Sequence, residues 1–217
     1  MTGTDWLPVA AEPAHGELFA NRWCRVYQVD LTPGQVTLDH LHHQDTVYLI
    51  VRGGRFRSDN LYATSSPTRP GASTGALRTV GWLAGRLLSG WLRMPAGTVL
   101  WQPHRDHPVI HRVRVSAANR EPIRMLGVEL RGTGPAPRLR DQRGVRLECA
   151  SERSATYRFD SPGRVRVPGH AVLTAIRGEV SMPGADPLRD GRTIWLDGPV
   201  ELRLDPGTVA VATLLEG

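Results

Sequence analysis

The stretch His40-Leu-His-His-Gln-Asp-Thr-Val-Tyr-Leu-Ile-Val-Arg-Gly53 places three histidines within four positions, immediately ahead of an apolar run. On an extended chain successive side chains point to opposite faces, so Val36, Leu38, His40 and His42 share one face and His43 points away. Two imidazoles two residues apart on one strand face can reach a single metal ion inside a barrel. A third ligand must then come from another strand. His111 opens the alternating run His111-Arg-Val-Arg-Val115, whereas His107, between Asp106 and Pro108, reads as a loop residue; the strand pattern favours His111. Histidines at strand ends are commonly ordinary hydrogen-bonding residues, but six of the eight in this chain fall in these two windows.

The elements that must position them are β-strands. Runs with period-two alternation, such as Arg25-Val-Tyr-Gln-Val-Asp-Leu31 and Ile123-Arg-Met-Leu-Gly-Val-Glu-Leu130, are separated by Pro-Gly or Gly-Gly turns at short intervals. That is the pattern of an all-β sandwich or barrel. One segment departs from it: Val80, Leu83, Ala84, Leu87, Leu88 and Trp91 recur at helical spacing, behind a turn-rich stretch from Ala63 to Thr74. The spacing predicts a partly helical insertion over about 58–92, either a lid over the barrel mouth or a surface excursion.

The sequence also repeats itself. Tyr27-Gln-Val-Asp-Leu-Thr-Pro-Gly-Gln-Val36 is echoed by Tyr157-Arg-Phe-Asp-Ser-Pro-Gly-Arg-Val165, and Leu92-Arg-Met-Pro-Ala-Gly-Thr-Val99 by Leu202-Arg-Leu-Asp-Pro-Gly-Thr-Val209. Two copies of one β unit are expected: an N-terminal arm (1–19), a first domain (20–131), a linker (132–150) and a shorter second domain (151–217). The second keeps only His170 and is read as a structural or dimerising partner with an incomplete barrel.

Taken together, these residues resemble the cupin superfamily, small jelly-roll β-barrels. Its first motif spaces Gly, five residues, His-x-His, a glutamate and a closing Gly. Gly34, His40, His42 and Gly53 fit, with Thr46 at the glutamate position. In its second motif Gly97 precedes Pro103, with His107 and His111 following. The resemblance implies two jelly rolls (a bicupin), the second degenerate, and one divalent metal ion held by His40, His42 and His111. A 2-His-1-carboxylate face favours Fe(II), whereas three imidazoles suit iron, zinc, copper or nickel. Asp45 or Glu129 would be the carboxylate that replaces the missing glutamate. Similarity to three-histidine cupins implies a mononuclear non-haem iron dioxygenase acting on a small chelating molecule. Arg55, Arg57 and Arg105 would pair with a substrate carboxylate, and Trp101, like Trp82 and Trp91, would line the pocket. With zinc, nickel or manganese instead, oxygen-independent isomerase, cyclase, lyase or hydrolase chemistry is expected, with Asp45, Tyr48 or His107 as acid or base. A non-catalytic ligand-binding barrel is the third reading.

Composition narrows the partners. The net charge is +6, yet the chain has no lysine and its arginines are scattered, so no nucleic-acid surface is read. No apolar run approaches the roughly 20 residues of a membrane span, and the N-terminus has no signal-peptide pattern, so a cytoplasmic location is expected. Cys24 and Cys149 form no CxxC pair and read as ordinary thiols. Exposed sheet edges on the short second half would favour a homodimer.

Overall fold

The computed structural model describes residues 6–63, 90–140 and 143–216. The segment expected to be helical lies outside the described residues, except for Gly90 and Trp91. Strands β1 (Leu7–Pro8), β2 (His15–Ala20), β3 (Cys24–Leu31), β4 (His40–His42), β5 (Thr46–Arg52), β6 (Gly54–Ala63), β7 (Leu92–Met94), β8 (Val99–Gln102), β9 (Val109–Val115) and β10 (Ile123–Leu130) form two five-stranded sheets. Sheet A runs β1-β4-β9-β6-β7 and sheet B runs β2-β3-β10-β5-β8. Strands β11 (Val145–Ala150), β12 (Ala155–Phe159), β13 (Gly163–Val167), β14 (Ala171–Arg177), β15 (Glu179–Met182), β16 (Ala185–Arg189), β17 (Thr193–Leu196), β18 (Val200–Leu204) and β19 (Val209–Leu214) follow. They form sheet C, β11-β12-β19-β14-β17, and sheet D, β13-β18-β15-β16. Strand for strand, C repeats the order of B, and D repeats that of A without β1.

The layers stack A, B, C, D. Tyr27, Val29 and Leu31 meet Phe56, Val113 and Val115 between A and B; Phe159, Leu173, Leu202 and Leu214 fill the space between C and D. The backs of B and C also meet, through Val26, Val47, Val128 and Leu130 against Cys149, Val172 and Leu215. This double burial explains the sequence of β5, an almost continuous apolar run. Val47, Leu49 and Val51 face sheet C, while Tyr48, and Ile50 opposite Met125, face the first sandwich's interior. Each buried aliphatic side chain contributes about 1.5–3 kcal/mol.

Two glycines do specific work. Gly34 takes φ 84° in the Pro33-Gly34 turn, the left-handed position such a turn requires. At Gly127 a Cβ would lie 2.2 Å from Cζ of Tyr27, so only glycine lets that ring lie flat on β10.

The structure departs from the sequence reading in four places. The expected N-terminal arm is woven in, with β1 parallel to β4 and β2 antiparallel to β3. The expected linker contains β11, an edge strand of sheet C. The second half is not an incomplete barrel, since it has a counterpart for every strand of the first except β1. Finally, Val36 and Leu38 do not share the face of His40: they are 43% and 52% exposed, because only an isolated bridge from Val36 to Arg114 continues the strand and regular pairing resumes at His40.

Candidate metal centre

Strand β4 pairs antiparallel with β9 so that His40 stands opposite His111, and His42 follows two residues on, on the same face. Sheet B supplies His15, whose ring lies 4.6 Å from that of His40 and 5.2 Å from Tyr27, centroid to centroid. The His111 ring is 4.6 Å from His40 and 4.9 Å from His42. One nitrogen each from His15, His40 and His42 lie within 4.8 Å of one another, and all three residues are buried.

Each of the four rings is held through Nδ1. His15 Nδ1 is 2.6 Å from Glu12 Oε2, His40 Nδ1 is 2.8 Å from the Leu38 carbonyl, His42 Nδ1 is 3.0 Å from the Tyr48 hydroxyl, and His111 Nδ1 is 2.8 Å from Ser58 Oγ. A carboxylate, a carbonyl and two hydroxyls thus fix the outer nitrogen and leave Nε2 as the donor atom, the arrangement usual for metal-binding histidines. Nε2 of both His40 and His42 is buried without any hydrogen-bond partner. Unpaired buried polar atoms are costly and rare, so their presence fits a cation between them.

Desolvation lowers the His40 pKa below its usual value. Burial, reinforced by the neighbouring imidazoles, takes His42 and His111 well below it. All are therefore neutral at pH 7, the form that binds metal. Glu12 is 4% exposed; burial alone would raise its carboxyl, but His15 and the N–H groups of Leu38 and Ala14 hold it low. Glu12 Oε1 accepts from Leu38 N–H at 3.2 Å while the Leu38 carbonyl holds His40, so one carboxylate orients two of the imidazoles.

The other residues singled out in the sequence are placed as follows. Thr46, at the motif's glutamate position, is buried and its hydroxyl donates to the Gln44 carbonyl at 2.8 Å. Asp45 does not join the His15–His40–His42 group: it pairs with Arg153 of the second sandwich and accepts from Arg105 N–H at 2.9 Å. Glu129 does face the interior, but it binds Arg25 Nη1 at 3.0 Å. The Tyr48 hydroxyl lies between His42 Nδ1 and Nε2 of His104, 3.2 Å away, and burial raises its pKa. His107 sits in the β8–β9 loop, where its N–H donates to the Pro103 carbonyl. Arg55 and Arg57 lie on the outer face of β6, where Arg57 pairs with Asp59. Arg105 is exposed and donates to Gln44; Trp101 packs in the layer between sheets B and C. Trp82 lies outside the described residues and Trp91 is 45% exposed.

Three interior residues escaped the sequence reading: His15, His104 and Arg25. His15 comes from outside both motif windows, and its one local signal is the Glu12-Pro-Ala-His15 spacing that lets the two side chains bond. His104 directly follows the motif proline; it stacks on His42 and burial brings its pKa down to about 4. Arg25, 5% exposed, is a buried cation of the interior, bound to Glu129 and to the half-exposed Glu17 at 2.8 Å.

The second sandwich offers no such centre among its described residues. By strand order β13 and β18 correspond to β4 and β9, but they bring Val165 opposite Leu202, both buried. His170 lies between the sandwiches, 4.0 Å from Trp23 and 5.6 Å from Trp195 by ring centroid.

No family sequence profile and no curated protein matches this chain. Solved structures do. A point variant of salicylate 1,2-dioxygenase from Pseudoaminobacter salicylatoxidans, in complex with gentisate, superposes with a TM-score of 0.59 at 12% identity, over 96% of this chain and 76% of that one. The bacterial pirin YhhW from Escherichia coli, in complex with nickel(II), gives 0.58 at 14% identity over 93% and 90%. A cupin 2 conserved barrel domain protein from Leptotrichia buccalis gives 0.50 at 10% over 93% and 88%. With the sheet order above and the spacing of its glycines and histidines, the chain has the fold of the cupin superfamily.

Proposed function

We propose that this chain is a metal-dependent cupin enzyme for a small molecule, a mononuclear non-haem iron dioxygenase in which His40, His42 and His111 hold Fe(II) and His15 stands as a fourth imidazole. The observation that carries this reading is the set of rings tied at Nδ1, with Nε2 of His40 and His42 buried and unpartnered. A bound divalent ion would supply an open coordination position for a chelating substrate and for dioxygen. The protein's own groups hold the ligands neutral and oriented, and the aliphatic floor of Val29, Leu31, Val113 and Val115 keeps water from the deep side. Arg25 is the group suited to a substrate carboxylate: Glu129 stays buried beside it, and Glu17, half-exposed on the edge strand, is the partner an incoming acid would displace.

A second reading, oxygen-independent chemistry on nickel, zinc or manganese, is favoured by the all-imidazole donor set of His15, His40 and His42 found among the described residues. Elemental analysis of untagged protein purified without chelators tests the centre itself. Near-stoichiometric divalent metal is expected, and loss of it in His40→Ala and His42→Ala; full retention by both variants refutes the assignment. Oxygen consumption with small chelating acids then separates the two chemistries.

A further inference from the structure

Three of the four ring anchors leave no choice about where the proton sits. The Glu12 carboxylate and the Leu38 carbonyl only accept, so His15 and His40 carry hydrogen on Nδ1. Ser58 spends its hydroxyl proton on Asn60 Oδ1 at 3.0 Å, so its oxygen accepts from His111 Nδ1. Tyr48 is different. A phenol both donates and accepts, and if it donated to His42 Nδ1 the ring proton would move to Nε2, the atom a metal needs bare.

His104 removes that ambiguity. Its ring stacks on His42 at 5.1 Å and presents Nε2 to the Tyr48 hydroxyl. A hydrogen bond to the main chain of His107 acts on the ring in the sense that favours its protonated form, as a carbonyl acceptor does, and with Nε2 turned to the phenol Nδ1 is the nitrogen left to make it. A carbonyl cannot donate, so the neutral His104 ring carries its proton on Nδ1 and offers a lone pair at Nε2. The one Tyr48 proton goes there, and the phenol oxygen is left to accept from His42 Nδ1. We propose that His104 is a positioning residue that fixes the tautomer of His42 through the Tyr48 hydroxyl, keeping His42 Nε2 bare toward the centre. The meaning of a bare Nε2 rests on the metal-centre reading, but the tautomer can be read without any metal.

The test uses the full-length, metal-free protein labelled with 15N-histidine, with long-range 1H–15N NMR at pH 7 and the His42 signals assigned by their loss in His42→Ala. The wild type is expected to show His42 with hydrogen on Nδ1. His104→Leu removes the acceptor; the Tyr27 and Thr46 hydroxyls beside the phenol act on it as donors, so the phenol turns its own proton toward His42 and the ring switches to the Nε2–H form. His104→Gln restores the wild-type form, because the new amide oxygen accepts from Tyr48 while its N–H faces the His107 carbonyl. Zinc affinity by chelator competition should fall about 10–100-fold in His104→Leu, the range typical of losing an outer-shell partner, and little in His104→Gln. In a Tyr48→Phe background, His104→Leu should change neither readout further. The proposal is overturned if His42 keeps Nδ1–H in His104→Leu, or if His104→Leu weakens zinc equally without the phenol. Should His104→Leu not fold, Tyr48→Phe alone decides: an unchanged His42 tautomer overturns the proposal. A His104-dependent tautomer in a protein that binds no zinc would uphold the positioning role and sink the metal centre.

Discussion

Replacing Glu12 by glutamine separates a metal-orienting role from a merely structural one. Glu12 accepts from His15 Nδ1 at 2.6 Å, Ala14 N–H at 2.7 Å and Leu38 N–H at 3.2 Å. Glutamine fills the same space but has one acceptor oxygen. Placed at the Oε2 position, that oxygen keeps His15 and Ala14, but the amide nitrogen then faces the Leu38 N–H, donor against donor. An unsatisfied buried donor costs about 1–3 kcal/mol, and the lost charge weakens the bond to His15 as well. Because the Leu38 peptide also holds His40, the disturbance reaches two rings. Glu12→Gln should therefore weaken zinc or cobalt binding about 10–100-fold, equivalent to about 1.4–2.7 kcal/mol. Chelator competition gives the affinity, and thermal melts of the metal-free protein give the stability loss on its own. If the melting temperature falls while the affinity stays at the wild-type value, the Glu12–His15 pair is structural only and His15 does not belong to the centre.

Acid should destabilise the metal-free protein before its carboxylates titrate. His40, His42 and His104 have folded pKa values below the usual 6.5, so under acidification the unfolded chain takes up protons that the native state refuses. Stability is full above about pH 6.5 and is lost as pH falls toward the folded values. His104 alone, held at about 4, accounts for roughly 3 kcal/mol of this loss. Urea melts at pH 7, 6 and 5 should show the midpoint dropping at each step, and a flat midpoint would contradict the neutral interior. Gly127→Ala should lower stability by about 1–3 kcal/mol, by forcing the Tyr27 ring off β10. Because that ring packs on His15, zinc affinity should fall too, and an unchanged melting temperature would show that the ring has room to move.

Much of this is legible in the sequence where one strand does the work, and little where distant strands meet. His40 and His42 stand on one face because the two-residue period holds across β4. The same period misplaces Val36 and Leu38, because it assumes a strand that pairing does not sustain before His40. Glu129 faces inward as its alternation suggests, but nothing local reveals that Arg25, 104 residues away, claims its carboxylate. Trp101 faces out because β8 carries one face toward sheet C, and a second buried face looks the same as a core to periodicity. His15 and His104 are invisible for a related reason: each reaches the cluster from a segment whose own pattern does not point there.

The Asp45–Arg153 pair carries a lesson about modularity. Asp45 follows three residues after His42, its carboxylate is bound by an arginine of the second sandwich, and Arg153 also donates to the Gly132 carbonyl at 3.3 Å. Removal of the second half would strand a buried carboxylate near His104 and bare the apolar back of sheet B. The half without a histidine cluster can thus dispense with chemistry of its own, yet it is not a passenger: gene splitting, domain shuffling or excision of the cluster-bearing half as a minimal catalyst would each take away the layer that covers the back of sheet B.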